Sequence, residues 1–177
     1  NVSKQPKWKK LLDNLIIPQR KRSTWNDYYH LVARYIIRKF ADREPKSNVS
    51  SQDPIRMLEI GTAFGGQPIV LQRSIPRLEM FVVDPFLPNY DNSDGQSKKM
   101  ASWVRSMKLG TKEFSKLWSE ALAYDNYMRY GCRYHIYAMK STELAPHFAE
   151  VKPFGNTFNP ASAKKLDVLF IDGLHTY

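Results

Sequence analysis

Three short phrases carry the residue types that can do chemistry. The first is Glu59-Ile60-Gly61-Thr62-Ala63-Phe64-Gly65-Gly66, the second Val83-Asp84-Pro85-Phe86, and the third Ile171-Asp172-Gly173-Leu174-His175-Thr176-Tyr177. In the first, an acid stands two residues before a glycine-rich turn. Its carboxylate can pair with a cationic ammonium or hold the loop through backbone N–H groups, whereas a pyrophosphate would be repelled. Gly61 and Gly65 permit backbone conformations that a Cβ opposes, and they let a ligand approach the main chain closely. Asp84 lies 23 residues beyond Gly61. An acid at that place in a nucleoside-binding α/β unit accepts hydrogen bonds from ribose hydroxyls; otherwise it caps the turn before Pro85. Asp172 and His175 form an acid and a base three residues apart, suited to orienting a hydroxyl and taking its proton.

These phrases need parallel strands to bring them to one edge. Arg56 to Ile60 is an apolar run, and Pro68-Ile69-Val70-Leu71 opens a helical pattern with its proline in the first turn. The spacing predicts a strand near Met57–Gly61, a helix near Gln67–Arg73 and a second strand at Glu79–Val83, a strand–helix–strand unit with parallel strands. Ser93 with Gln96 forms a capping box for a helix to about Lys108, stopped by Gly110. A second helix runs over Thr111 to Tyr130 with Gly131 as its C-cap, and one of the two is expected to border the site. Tyr134 to Met139 reads as the third strand. Ser141 or Thr142 then caps a short helix, which puts Met139-Lys140-Ser141 at the same crevice. Leu166 to Ile171 is almost unbroken in its apolar character, the pattern of a central strand buried on both faces.

Upstream, Trp8, Leu11, Leu12, Leu15 and Ile16 have helical spacing, and Pro18 is expected to end that helix. Thr24 with Asp27 resembles a capping pair. Tyr28, Tyr29, Val32, Tyr35, Ile36 and Phe40 then form one stripe, whose tyrosine hydroxyls can line a substrate mouth. Residues 42–54 are polar and read as a linker.

The chain has 177 residues and a formal net charge of +10. That length suits one well-buried domain. Residues 1–46 hold 12 of the 27 Lys and Arg but only 4 of the 17 Asp and Glu, so the basic character belongs to a helical N-terminal extension. Lys4, Lys7, Lys9, Lys10, Arg20, Lys21 and Arg22 can meet phosphates or an anionic surface, or can simply be solvated. A single cysteine, Cys132, excludes an intrachain disulfide and a multi-cysteine zinc site. His30, His135 and His147 show no metal-ligand spacing and are expected to be structural or solvated. No apolar run approaches the roughly 20 residues that span a bilayer. A soluble chain is expected, with the cytoplasm favoured, although the sequons Asn1-Val2-Ser3 and Asn48-Val49-Ser50 leave the secretory pathway open.

The order Glu59-x-Gly61-x-Ala63-x-Gly65, Val83-Asp84-Pro85-Phe86 and Ile171-Asp172-Gly173-Leu174-His175-Thr176-Tyr177 resembles the class I S-adenosylmethionine-dependent methyltransferases, and among them methyltransferase domain family 24. The likeness covers about residues 55–177. It implies an α/β fold: a Rossmann-like parallel sheet with helices on both faces, preceded by N-terminal helices. It implies S-adenosylmethionine as cofactor and methyl transfer to the hydroxyl of a small-molecule acceptor. The cofactor positions map onto Glu59, Gly61, Thr62, Ala63, Phe64, Gly65, Asp84 and Pro85, then onto Lys140 and Ser141. Catalysis falls to His175 as general base and to Asp172, which either orients the substrate or ligates Mg²⁺ as in related O-methyltransferases. A complete domain of this class has seven strands and four are countable here, so the chain reads as the N-terminal portion of a longer protein.

Two other readings compete. A nicotinamide-dependent oxidoreductase accounts for Asp84 but not for Glu59 or the displaced glycine spacing. A basic RNA-binding or RNA-modifying module accounts for the charge. That charge lies outside the glycine-turn domain, and no RNA-binding aromatic signature accompanies it, so nucleic acid is not the expected partner.

Overall fold

The computed structural model describes residues 5–22, 26–41, 54–88, 95–148, 154–155 and 166–172. Ser93, Thr24, both sequons, most of the polar stretch 42–54, and Gly173 to Tyr177 with His175 lie outside the described residues. Apolar β-branched and aromatic runs form β1 (Ile55–Ile60), β2 (Leu78–Val83), β3 (Arg133–Tyr137) and β5 (Val168–Ile171), and β4 is the two-residue Phe154–Gly155. The sheet order is β4-β3-β2-β1-β5. β1 pairs in parallel with β2 and β5, and β2 with β3; only β4 runs antiparallel. The fold is thus α/β and Rossmann-like, with four parallel strands, flanking helices and helices N-terminal to the sheet. The chain moves outward from β1 through β2 to β3, then returns to the far side of β1. This reversal opens a crevice at the carboxyl ends of β1 and β5.

Alternation sorts the sheet into two faces. Met57, Met80, Val82, Tyr134 and Ile136 belong to the main core, which also takes in Leu71 of α4 (Gly66–Ser74), Met100 of α5 (Gly95–Met107) and Trp118 of α6 (Thr111–Ala123). Leu11 of α1 (Lys7–Leu11) and Ile36 of α3 (Asn26–Lys39) are buried in the same core, where α1 packs on α6 and α3 on α4. On the opposite face Phe81, Val83 and Tyr137 gather with Leu144 of α7 (Ser141–Leu144). There, Glu79 joins three strands: its carboxylate reaches Arg56 Nε at 3.2 Å and His135 Nε2 at 2.9 Å. His135 is therefore structural. Burial raises the Glu79 pKa, but His135 and Arg56 outweigh it and hold the carboxyl below its ordinary range.

Several expectations change. Pro18 does not end the first helix. The chain takes a π turn over Leu12–Ile16 and continues as α2 (Ile17–Arg22). A wider turn just before Pro18 relieves the proline's missing N–H and ring clash. Gly110 is the N-cap of α6, and α5 stops instead at Lys108, whose φ is 52°. Lys140, not Ser141 or Thr142, is the N-cap of α7, and its backbone N–H donates to Glu143 Oε2 at 3.3 Å. Of the α3 stripe, Ile36 is buried but Tyr35 is 67% exposed, because Ala33 takes the inward position. β5 is not buried on both faces. It pairs with β1 on one side, no described strand flanks its other side, and Leu169 and Ile171 are more than half exposed. Gly131 does close the helix that follows α6, with φ 67° and its N–H on Tyr127 O at 2.8 Å.

Candidate functional site

Three strand ends meet at the crevice. Gly61 leaves β1 with φ 84° and donates its N–H to Val83 O at 2.9 Å, while Asp84 N–H reaches Tyr137 O at 3.1 Å. On the other side of β1, Asp172 N–H bonds Ile60 O at 2.8 Å. Gly61, Asp84 and Asp172 therefore share the carboxyl edge of the sheet. Lys140 and Ser141 follow β3 at that same edge, as the N-cap and first residue of α7.

Asp84 fastens the glycine turn. Its Oδ2 accepts the N–H groups of Thr62 at 3.1 Å and Ala63 at 3.0 Å, and its Oδ1 accepts that of Phe86 at 2.8 Å. It thus caps the turn before Pro85 and also clasps the glycine loop. Burial pushes its pKa up, against the pull of those three amides. A carboxylate has about four lone-pair sites, so three amides leave one acceptor position.

The loop carbonyls are fixed from outside. Trp118 Nε1 donates to Ala63 O at 2.9 Å, and its ring lies 5.5 Å from that of Phe64. Arg20 donates through Nε and Nη2 to Phe64 O, at 3.0 and 2.6 Å, and pairs through Nη1 with the buried Asp125. Ser115 Oγ donates to Pro85 O at 3.1 Å. Of the two helices between β2 and β3, α6 is thus the one that borders the turn. Ala63 holds φ 44° and Gly65 φ 65°. A Cβ on Gly65 would stand 3.0 Å from Leu122 Cδ2 and 3.3 Å from Asn126 Nδ2, so the turn needs glycine for space as well as for φ.

Glu59 is the least conventional group. It points from β1 into the main core, is 1% exposed, and its Oε2 has no hydrogen-bond partner. Burial raises its pKa well above the ordinary 4.5; the Thr62 hydroxyl pulls it down, and Asp172 and Asp84 push it further up. Tyr29 of α3 lies within the fields of Glu59 and Asp172. Burial first, then those two charges, raise its phenol pKa. Thr62 Oγ1 and Tyr134 OH are 3.4 Å apart beside it.

The structure therefore brings together Glu59, Gly61, Thr62, Ala63, Phe64, Gly65, Asp84 and Pro85, with Asp172 on the adjoining strand end. Among the described residues no three His, Cys, Asp or Glu side chains converge as a metal site. No sequence signal marked Arg20, Asp125 or Trp118 as supports of the turn. Arg20 is one cation in a basic stretch, and Trp118 is one apolar residue in a helical stripe. No described helix is long and apolar enough to cross a membrane. No protein-family model matches the chain and no curated protein matches its sequence, so the site's geometry alone carries the functional argument.

Proposed function

We propose that the chain belongs to an S-adenosylmethionine-dependent methyltransferase acting on the hydroxyl of a small molecule. The observation that carries the reading is the meeting of the Gly61 turn with Asp84 at the carboxyl edge, beside the β1–β5 reversal. The unpartnered Glu59 Oε2 adds to it. A buried carboxylate oxygen with no donor suits a cation, and the methionine part of this cofactor carries an ammonium. When bound, S-adenosylmethionine supplies an electrophilic methyl group.

The chain's own residues have separable tasks in this reading. Glu59 receives the ammonium, and the main chain from Gly61 to Gly65 lies along the amino-acid tail. Asp84 offers its remaining acceptor position to the sugar while holding the turn. Lys140 and Ser141 border the base. Asp172 orients the acceptor hydroxyl and His175 takes its proton; unchanged turnover after His175→Ala would remove that role. Among the described residues no group of three acids or histidines would hold Mg²⁺, so no step is routed through it.

Calorimetric titration with S-adenosylhomocysteine and with NAD tests the reading. Binding of the first without the second is expected; binding of NAD alone would support the oxidoreductase instead. The same turn has Ala63 where a dinucleotide fingerprint has its second glycine, which weighs against NAD.

A further inference from the structure

A second cavity runs along the outer flank of α4, from Gly66 to Ser74. It has a volume of about 580 Å³ and is lined by Arg20, Lys21, His30, Arg73 and Tyr130, with Ile69 and Val70 as an apolar wall. Among the described residues that line it there is no Asp or Glu. Its basic side chains come from distant parts of the chain: Lys21 and Arg20 from α2, His30 from α3 and Arg73 from the last turn of α4. Packing of α3 on α4 brings them together.

Their charge is poorly compensated. Asp125 is fully buried and serves two guanidiniums, those of Arg20 and Arg129 at once. One carboxylate against two arginines leaves a positive surplus beside the cavity. No described carboxylate pairs with Lys21 or Arg73. Like charges held around one concavity repel one another, and an anion relieves that repulsion. The volume falls within the roughly 300–1,000 Å³ of pockets that hold small organic ligands. Ile69, Val70 and the Tyr130 ring offer such a ligand an apolar and aromatic seat.

We propose that this cavity binds a phosphomonoester of a small organic molecule, with the phosphate between Lys21 and Arg73 and the organic part against Ile69, Val70 and Tyr130. The proposal does not rest on the cofactor reading: Arg20, which holds Phe64 O, and Gly66, which opens α4, border both places, but neither Lys21 nor Arg73 has a task in the crevice. It also gives the basic N-terminal stretch a task that the carboxyl-edge site does not.

The test is calorimetry on the full chain at fixed ionic strength, with phenyl phosphate, inorganic phosphate, phenol and a short single-stranded RNA as probes. Phenyl phosphate is expected to bind about tenfold more tightly than inorganic phosphate, and the double variant K21Q/R73Q to lose about tenfold or more of that affinity, tenfold being 1.4 kcal/mol. Both side chains are on exposed residues, so the variant should keep its melting temperature, and Tyr130→Ala should selectively weaken phenyl phosphate. Unchanged affinity in K21Q/R73Q, equal binding of phenol, or a preference for the RNA would each overturn the proposal. S-adenosylhomocysteine added beforehand should leave phenyl phosphate affinity unchanged, which separates this site's failure from that of the crevice.

Discussion

The carboxylate of Asp84 lies 3.0 Å from the amide nitrogen of Ala63, so the residue that ends β2 holds the turn that leaves β1. Ala63 has φ 44°, which a residue with a Cβ adopts at a cost, and the acceptor opposite its N–H compensates part of it.

Replacing Asp84 by Ala leaves the N–H groups of Thr62, Ala63 and Phe86 without their acceptor. The expected loss is about 1–3 kcal/mol, the range for unsatisfied polar groups. Asp84→Asn keeps one carbonyl oxygen and should lose less. Urea denaturation of the two variants beside the parent chain checks the order; equal stability of all three would show that the clasp does not hold the turn.

Glu59 makes a pH prediction with a definite sign. Its folded pKa is raised, so its contribution to stability is fully present below the unfolded value near 4.5 and is lost as pH rises toward the raised folded value. Glu59→Gln should therefore remove a decline in stability above about pH 4.5 and be the more stable form at neutral pH. The same carboxyl should release a proton when it meets an ammonium. Titration of S-adenosylhomocysteine in buffers of different ionisation enthalpy should show that release in the parent chain and not in the variant.

Asp125 anchors the N-terminal helices to the glycine turn through Arg20, which also holds Phe64 O. Asp125→Asn takes the carboxylate from the buried Arg20 guanidinium and should cost about 3–5 kcal/mol, as breaking a buried pair does. Arg20→Met leaves Asp125 its partner Arg129 and should cost less. Thermal melts of both variants read the difference; a reversed order would mean that the Phe64 carbonyl contact dominates.

The strand–turn–helix unit was legible because its signals are local. Gly61 and Gly65 do adopt positive φ, and the apolar runs around Met57, Met80 and Ile136 do form parallel neighbours. What escaped the sequence depends on tertiary packing. Pro18 marks a helix stop by propensity, yet burial of Leu15 and Ile16 favours carrying the helix on through a π turn. The apolar run at Leu169 speaks for burial on both faces, but composition cannot say which strand lies at an edge. Arg20 and Asp125 are 105 residues apart, and no spacing rule joins them.

The location of the cofactor is the most direct test of the account. Ultraviolet photolabelling of the full chain with radiolabelled S-adenosylmethionine, followed by tryptic mapping, should place the label on the peptide from Met57 to Arg73, which carries Glu59 and the glycine turn. S-adenosylhomocysteine should abolish that label and NAD should not. Label confined to other peptides, or displaced by NAD alone, would contradict the reading of this crevice as a methyl-donor site.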